Sequence, residues 1–349
     1  MRATLIHGPR DIRLEEVPDP TIQRPTDAVV RVVASCVCGS DLWPYRGVRP
    51  TERPRRIGHE FVGVVEEVGA DVRTLRPGQF VVAPFTVSDG TCVHCRNGFP
   101  TSCEHGSGWG GDDAEGVFTD AGQGEYVRVP LADGTLVAMR EHPDADLLPG
   151  VLSLTDVMGT GHHAAVSAGV RPGSTVAVVG DGAVGLCAVI AAHRLGAERV
   201  IALSRHASRQ ALAREFGATD VVEERGDEGA AAVRDLLGGV GADHVLECVG
   251  TKESMQQALD TARPGGQVGF VGVPAGGPEL PVRQLFATNV GVRGGMAPVR
   301  AYIEELADEV WSGAIRPGKV FDLVLGLDDV AEAYAAMDER RAIKSMLLP

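Results

Sequence analysis

No stretch of this sequence approaches the roughly 18 consecutive apolar residues of a membrane-spanning helix. The opening Met1-Arg2-Ala3-Thr4-Leu5-Ile6-His7 also lacks the apolar run that a secretory signal requires. A cytoplasmic location is the expectation. Positive charge is scarce as well, since the net charge is −14. That balance argues against nucleic acid, whose phosphates need a basic face, and disfavours anionic membranes. Any anionic ligand must be held by a local positive pocket. Lysine occurs only at 252, 319 and 344, leaving arginine to carry nearly all the basic charge. We read that bias as the mark of a GC-rich coding sequence, not of function. A disulfide framework is not expected either. The seven cysteines are an odd number, in a chain without an export signal. Cys36, Cys187 and Cys248 sit in apolar segments and read as small core residues. The tighter spacing of the others points to metal.

What is present is enough for about two domains, in 349 residues of globular composition. Up to about residue 150 the pattern is short strands and turns, with β-rich runs at Val29–Val33, Phe61–Val68 and Phe80–Val82. Residues 86–124 form an aperiodic excursion rich in Gly, Cys, Ser and Asp. So long a loop in a compact domain usually has a functional or metal-based reason to be ordered. From about 153 strands and helices alternate, as in a parallel doubly wound sheet. The predicted strands are Thr175–Val179, Arg199–Leu203, Asp220–Val222, His244–Cys248, Gln267–Val271 and Val290–Arg293. A helix at Ala301–Trp311, a strand near Val320–Val324, a helix at Val330–Met337 and a strand at Ile343–Leu347 complete the chain.

Gly180-Asp181-Gly182-Ala183-Val184-Gly185 follows the first of the later strands and opens a helical stretch. The first glycine makes a tight turn, the second admits a pyrophosphate close to the backbone, and the third lets helix and strand pack closely. The helix N-terminus adds free N–H groups and partial positive charge. The flanking strand and helix raise this above a chance glycine pattern. Cofactor choice turns on the end of the next strand, Leu203-Ser204-Arg205-His206-Ala207-Ser208-Arg209, which has no carboxylate for a ribose 2′-hydroxyl. Ser204, Arg205 and Arg209 suit a 2′-phosphate instead. NADP(H) is therefore preferred and NAD(H) possible. The bland alternative is a solvated arginine at a helix start.

Two residue groups have ligand chemistry. One is Cys38-Gly39-Ser40-Asp41 with Gly58-His59-Glu60; the other is Cys92-Val93-His94-Cys95 with Cys103, spaced C-x2-C-x7-C. Together with the fingerprint, these motifs resemble the zinc-dependent alcohol dehydrogenases of the medium-chain dehydrogenase/reductase superfamily. The resemblance covers essentially the whole chain.

The resemblance implies an α/β architecture. A Rossmann doubly wound parallel sheet domain is expected at 153–296, and a mainly-β GroES-like catalytic domain is split between 1–152 and 297–349. The active site is expected in the cleft between them, and the assembly as a homodimer or homotetramer. Cys38 and His59 match zinc ligands, and Asp156, ahead of Thr160-Gly161, matches the third. One thiolate, one imidazole and one carboxylate leave a position open, as in a catalytic zinc site. Asp156 could instead be a helix N-cap. Glu60 matches the residue that approaches or replaces the bound water. Ser40 matches the hydroxyl that passes on the alcohol proton, and Asp41 would orient His59. Trp43 stands where many members have histidine.

The family's structural zinc lobe uses four cysteines. Here Cys92, Cys95 and Cys103 match three, and Asp89 takes the first place. His94 or His105 could substitute as ligand. Thr160 resembles a contact to the nicotinamide end, Val249, Val271 and Val273 could flank the ring, and Lys344 matches a basic residue near the phosphates. Trp43, Tyr45, Phe85 and Trp109 could wall a substrate pocket or simply pack as core.

The implied activity is interconversion of an alcohol with an aldehyde or ketone, by hydride exchange with NADP(H). Three alternatives remain. They are an NAD-dependent polyol or sugar-type zinc dehydrogenase, a zinc-free quinone or enoyl reductase, and a non-catalytic NADPH- and zinc-binding protein.

Overall fold

A computed structural model describes residues 1–48, 51, 53–274 and 279–349. It divides into two compact units, Met1–Asp156 with Pro298–Pro349, and Val157–Ala297. Helix Leu148–Ser153 belongs with the first because it packs on Pro317–Val320 and on strands Ala28–Cys36 and Phe61–Val68.

In Val157–Ala297 six parallel strands run in the spatial order Asp220–Val222, Arg199–Leu203, Thr175–Val179, Ala242–Glu247, Ala262–Phe270, Gly291–Gly294. This is a Rossmann sheet. Its central strands are apolar and buried nearly throughout because helices cover both faces. The fifth strand starts ahead of the expected Gln267–Val271 and takes in Arg263-Pro264-Gly265-Gly266. It does so irregularly, with the register slipping between Ala242↔Ala262 and His244↔Gln267. Helices Val157–Ala168 and Ala183–Arg194 approach so closely that a Cβ on Gly161 would lie 2.5 Å from the Ala188 nitrogen.

The other unit is mainly β. Strand Ala28–Cys36 is its spine, antiparallel to Phe61–Val68, Tyr126–Val129 and Lys344–Leu348. Two apolar clusters fill it, one around Phe61, Val65, Trp109 and Val127, the other around Ile6, Tyr45, Tyr334 and Leu347. The pairing Ser35↔Phe61 is what builds the site. It sets the residues just after the first strand beside those just before the second. Among the described residues no helix is long and apolar enough to cross a membrane.

Candidate active site

Cys38 follows the spine strand, His59 and Glu60 precede its neighbour, and Asp156 ends the segment after helix Leu148–Ser153. Their ligand atoms lie within 4.8 Å of one another. Cys38 Sγ is 3.6 Å from Asp156 Oδ2, and His59 Nε2 is 3.7 Å from the same oxygen. Ligands about 2.0–2.3 Å from a tetrahedral ion lie about 3.3–3.8 Å apart, so the spacing fits one. Sulfur, imidazole nitrogen and carboxylate oxygen are the donors zinc takes.

Gly58 gives the His59 motif its turn. Its φ is +105°, and a Cβ there would sit 2.4 Å from Cγ of Gln123. Asp41 then orients the ring, with Oδ1 3.3 Å from His59 Nδ1, while its Oδ2 accepts from the Cys38 amide at 3.0 Å. Gln123 donates to Asp41 and to the Cys36 carbonyl, and the buried Tyr334 hydroxyl donates to Gln123 at 2.9 Å. Neither Gln123 nor Tyr334 stands out in the sequence. A lone Gly-Gln-Gly and a tyrosine in the last helix carry no local signal. Ser40 lies partly exposed on the turn between Cys38 and Asp41.

Burial pushes the Cys38 thiol up, reinforced by the Glu60 charge. Burial opposes a charged His59, yet Asp41 and Cys38 hold its imidazole well above the usual range. The cluster is thus an anion-rich, desolvated pocket whose charge a divalent cation would relieve.

Lys344 corrects the sequence reading. It does not present itself to phosphates: it is 1% exposed, and its Nζ donates to Glu60 Oε1 at 2.7 Å and to the Val37 carbonyl. Cys36 Sγ donates to the other Glu60 oxygen at 3.2 Å. Glu60 is therefore fully buried and tied back from below. Burial raises its carboxyl pKa, against the pull of Lys344.

Aromatic residues divide. Tyr45 packs on Tyr334 with centroids 5.4 Å apart, and Trp109 packs edge-on against Phe61 and donates to the Pro84 carbonyl. Both are core. Phe85 sits edge-on to His59, 6.4 Å between centroids, and Trp43 is half-buried.

Asp89, Cys92, Cys95 and Cys103 form a second cluster within 4.8 Å. Cys92 Sγ and Cys103 Sγ are 3.9 Å apart. Although burial opposes its ionisation, Asp89 is held well below the usual carboxylate range by the Cys92 amide and His105. His105 Nδ1 lies 2.6 Å from Asp89 Oδ2, so His105 orients the carboxylate, and neither it nor the exposed His94 joins the set.

In the other unit the fingerprint glycines separate by cause. Gly180 has φ +118°. A Cβ on Gly185 would fall 1.9 Å from the Gly180 oxygen, whereas one on Gly182 meets no protein atom within 4 Å. Gly182 thus leaves open space at the N-cap of helix Ala183–Arg194, which Ala183, Val184 and Gly185 begin. Ser204 Oγ donates to Asp181 Oδ2 at 2.8 Å, and Arg209 Nη1 lies 3.5 Å from Asp181 Oδ1. Arg205 is exposed. Val249 and Val273 are exposed at the carboxyl ends of their strands, Val271 is buried beside them, and Thr160 is buried in helix Val157–Ala168.

The profile of the alcohol dehydrogenase GroES-like domain matches residues 24–141, and that of zinc-binding dehydrogenases matches 183–312. A zinc-type alcohol dehydrogenase B of Aspergillus flavus is 34% identical over 99% of this chain and 80% of its own length. A probable zinc-binding alcohol dehydrogenase of Mycobacterium tuberculosis is 37% identical over 97% and 86%. The solved alcohol dehydrogenase of Thermus sp. ATN1 is similar at 33% identity, with a TM-score of 0.90 over 100% of this chain and 99% of its own. The chain belongs to the zinc-dependent alcohol dehydrogenase family of the medium-chain dehydrogenase/reductase superfamily. It is an oxidoreductase of alcohols that works with zinc and a nicotinamide cofactor.

Proposed function

We propose that the chain interconverts a small alcohol and its aldehyde or ketone with NADP(H), using Cys38, His59 and Asp156 to hold the catalytic zinc. The observation that carries this is the spacing of their three donor atoms about one point. Zinc in that set supplies Lewis acidity, which makes a substrate hydroxyl more acidic and polarises a carbonyl. Asp41 fixes the His59 ring so that Nε2 faces the ligand set. Ser40 takes the alcohol proton. Lys344 restrains Glu60, which leaves the three remaining donors as the first claimants on the ion. Phe85, beside His59, favours an apolar carbon portion on the substrate.

Gly180, Gly182 and Gly185 cradle the pyrophosphate, and Thr160, Val249, Val271 and Val273 flank the nicotinamide. Arg205 and Arg209 take the 2′-phosphate, beside Ser204. A second reading, NAD(H) use, is favoured by Asp181. Its carboxylate already engages Ser204 and Arg209, and it supplies the acceptor that the strand end lacks. We assign Asp89, Cys92, Cys95 and Cys103 a closed structural zinc. We also propose a homodimer or homotetramer, supported by the unpaired edge of strand Gly291–Gly294 and the exposed Phe286 and Met296.

The test is an alcohol and aldehyde panel run with NADP and NAD, with and without a chelator, beside metal analysis of Cys38→Ser. Turnover that stops on metal removal, and a variant lacking one zinc, support the reading. Turnover that survives chelation defeats it. Tighter binding of NAD than of NADP selects the second cofactor.

A further inference from the structure

The amino-terminal ends of the parallel strands carry a second concave site. Val176, His244 and Gln267 are register partners there, whereas the glycine fingerprint follows Val179 at the opposite, carboxyl ends. Dinucleotides bind at the carboxyl ends, so this site belongs to none of the chemistry above. It is a cavity of about 360 Å³ whose walls include Arg171, Arg263, Arg293, His244, Gln267 and Asp243.

Its charge is unusual for a chain of net −14. Three guanidinium groups meet one carboxylate, and Asp243 is already occupied by Arg263 at 2.7 Å and by the Thr175 amide and hydroxyl. Arg171 and Arg293 have no ion-pair partner among the described residues. His244 is 8% exposed and lines the cavity. Guanidinium forks are the donors that grip a tetrahedral dianion.

We propose that this cavity is a second ligand site that binds phosphate, either free or as the ester of a small metabolite. It does not depend on the metal centre. Arg171 and Arg293 supply charge from the rim, and Arg263 is held in place by Asp243.

The test is calorimetric titration of the full-length protein with inorganic phosphate and, separately, with glycerol 3-phosphate. Ionic strength is held constant and NADPH is in excess, to fill the nucleotide site. One phosphate per chain is expected. Binding should weaken about tenfold in Arg171→Ala and again in Arg293→Ala, and stay unchanged in Arg76→Ala, an exposed arginine of the β-rich unit. Both rim arginines are exposed, so the melting temperature without phosphate should not move and folding is not at issue. Tighter binding of the ester identifies an esterified ligand, and tighter binding of phosphate a free one. No binding by the unaltered protein, equal binding by the Arg171→Ala, Arg293→Ala double variant, or an equal loss in Arg76→Ala overturns the proposal.

Discussion

Lys344→Met would strand the Glu60 carboxylate in a fully enclosed position. Removing one partner of a buried pair costs about 3–5 kcal/mol. Urea denaturation should show that loss, with much of it recovered when Glu60 is also made Met. Two glycines offer a cleaner contrast. Gly185→Ala should lower the melting temperature and cofactor affinity together, because its Cβ would collide with the Gly180 oxygen. Gly182→Ala meets only open space, so the cofactor-free protein should melt unchanged while NADPH binding falls sharply in a fluorescence titration. His163 sets a pH dependence. Burial, aided by Arg293, pushes its pKa down to about 4 from an ordinary 6.5. Between those values the unfolded chain binds more protons, so stability falls as pH drops through that window and the effect saturates below it. His163→Gln should flatten this part of the stability curve against pH.

These residues also mark where sequence reasoning stops. Cys38, His59 and Asp156 could be nominated only through the family resemblance, because each sits in a short motif that matches a zinc ligand there and none is recognisable by itself. The role of Lys344 was not legible, since its partner Glu60 lies far away in sequence and no local pattern encodes the pairing. Tyr45 and Trp109 show the same difficulty. An aromatic beside a functional motif looks alike whether it faces a ligand or the core.

At the level of elements, the strand-and-helix alternation after residue 153 was plain, and Arg199–Leu203 and Asp220–Val222 agree with the sequence to the residue. Long apolar strands buried on both faces advertise themselves. The short segments of the β-rich unit did not. Thr86–Val87 and Ser107–Gly108 form a two-residue ladder that no periodicity announces. Between them Asp89, Cys92, Cys95 and Cys103 gather into one cluster. Cys103→Ser should therefore drop the metal content from about two zincs per chain to about one. Mass spectrometry under native conditions would count them. A count unaffected by the substitution would mean that Cys103 is not a ligand.

At the scale of the whole chain, Asp156 is the last residue of one compact unit, and Val157 opens the next. Most seams between domains are slack, and spacers or fused modules can be spliced into them without harm. This one carries a donor atom of the candidate metal set. Lengthening the chain after Leu154 would pull a donor atom out of its shared point with Cys38 and His59. The return crossing at Ala297–Pro298 carries no such atom, but Ala297 and Val299 are buried, so an insertion there would disrupt packing instead. The two crossings, alike in topology, would thus resist an engineer for different reasons.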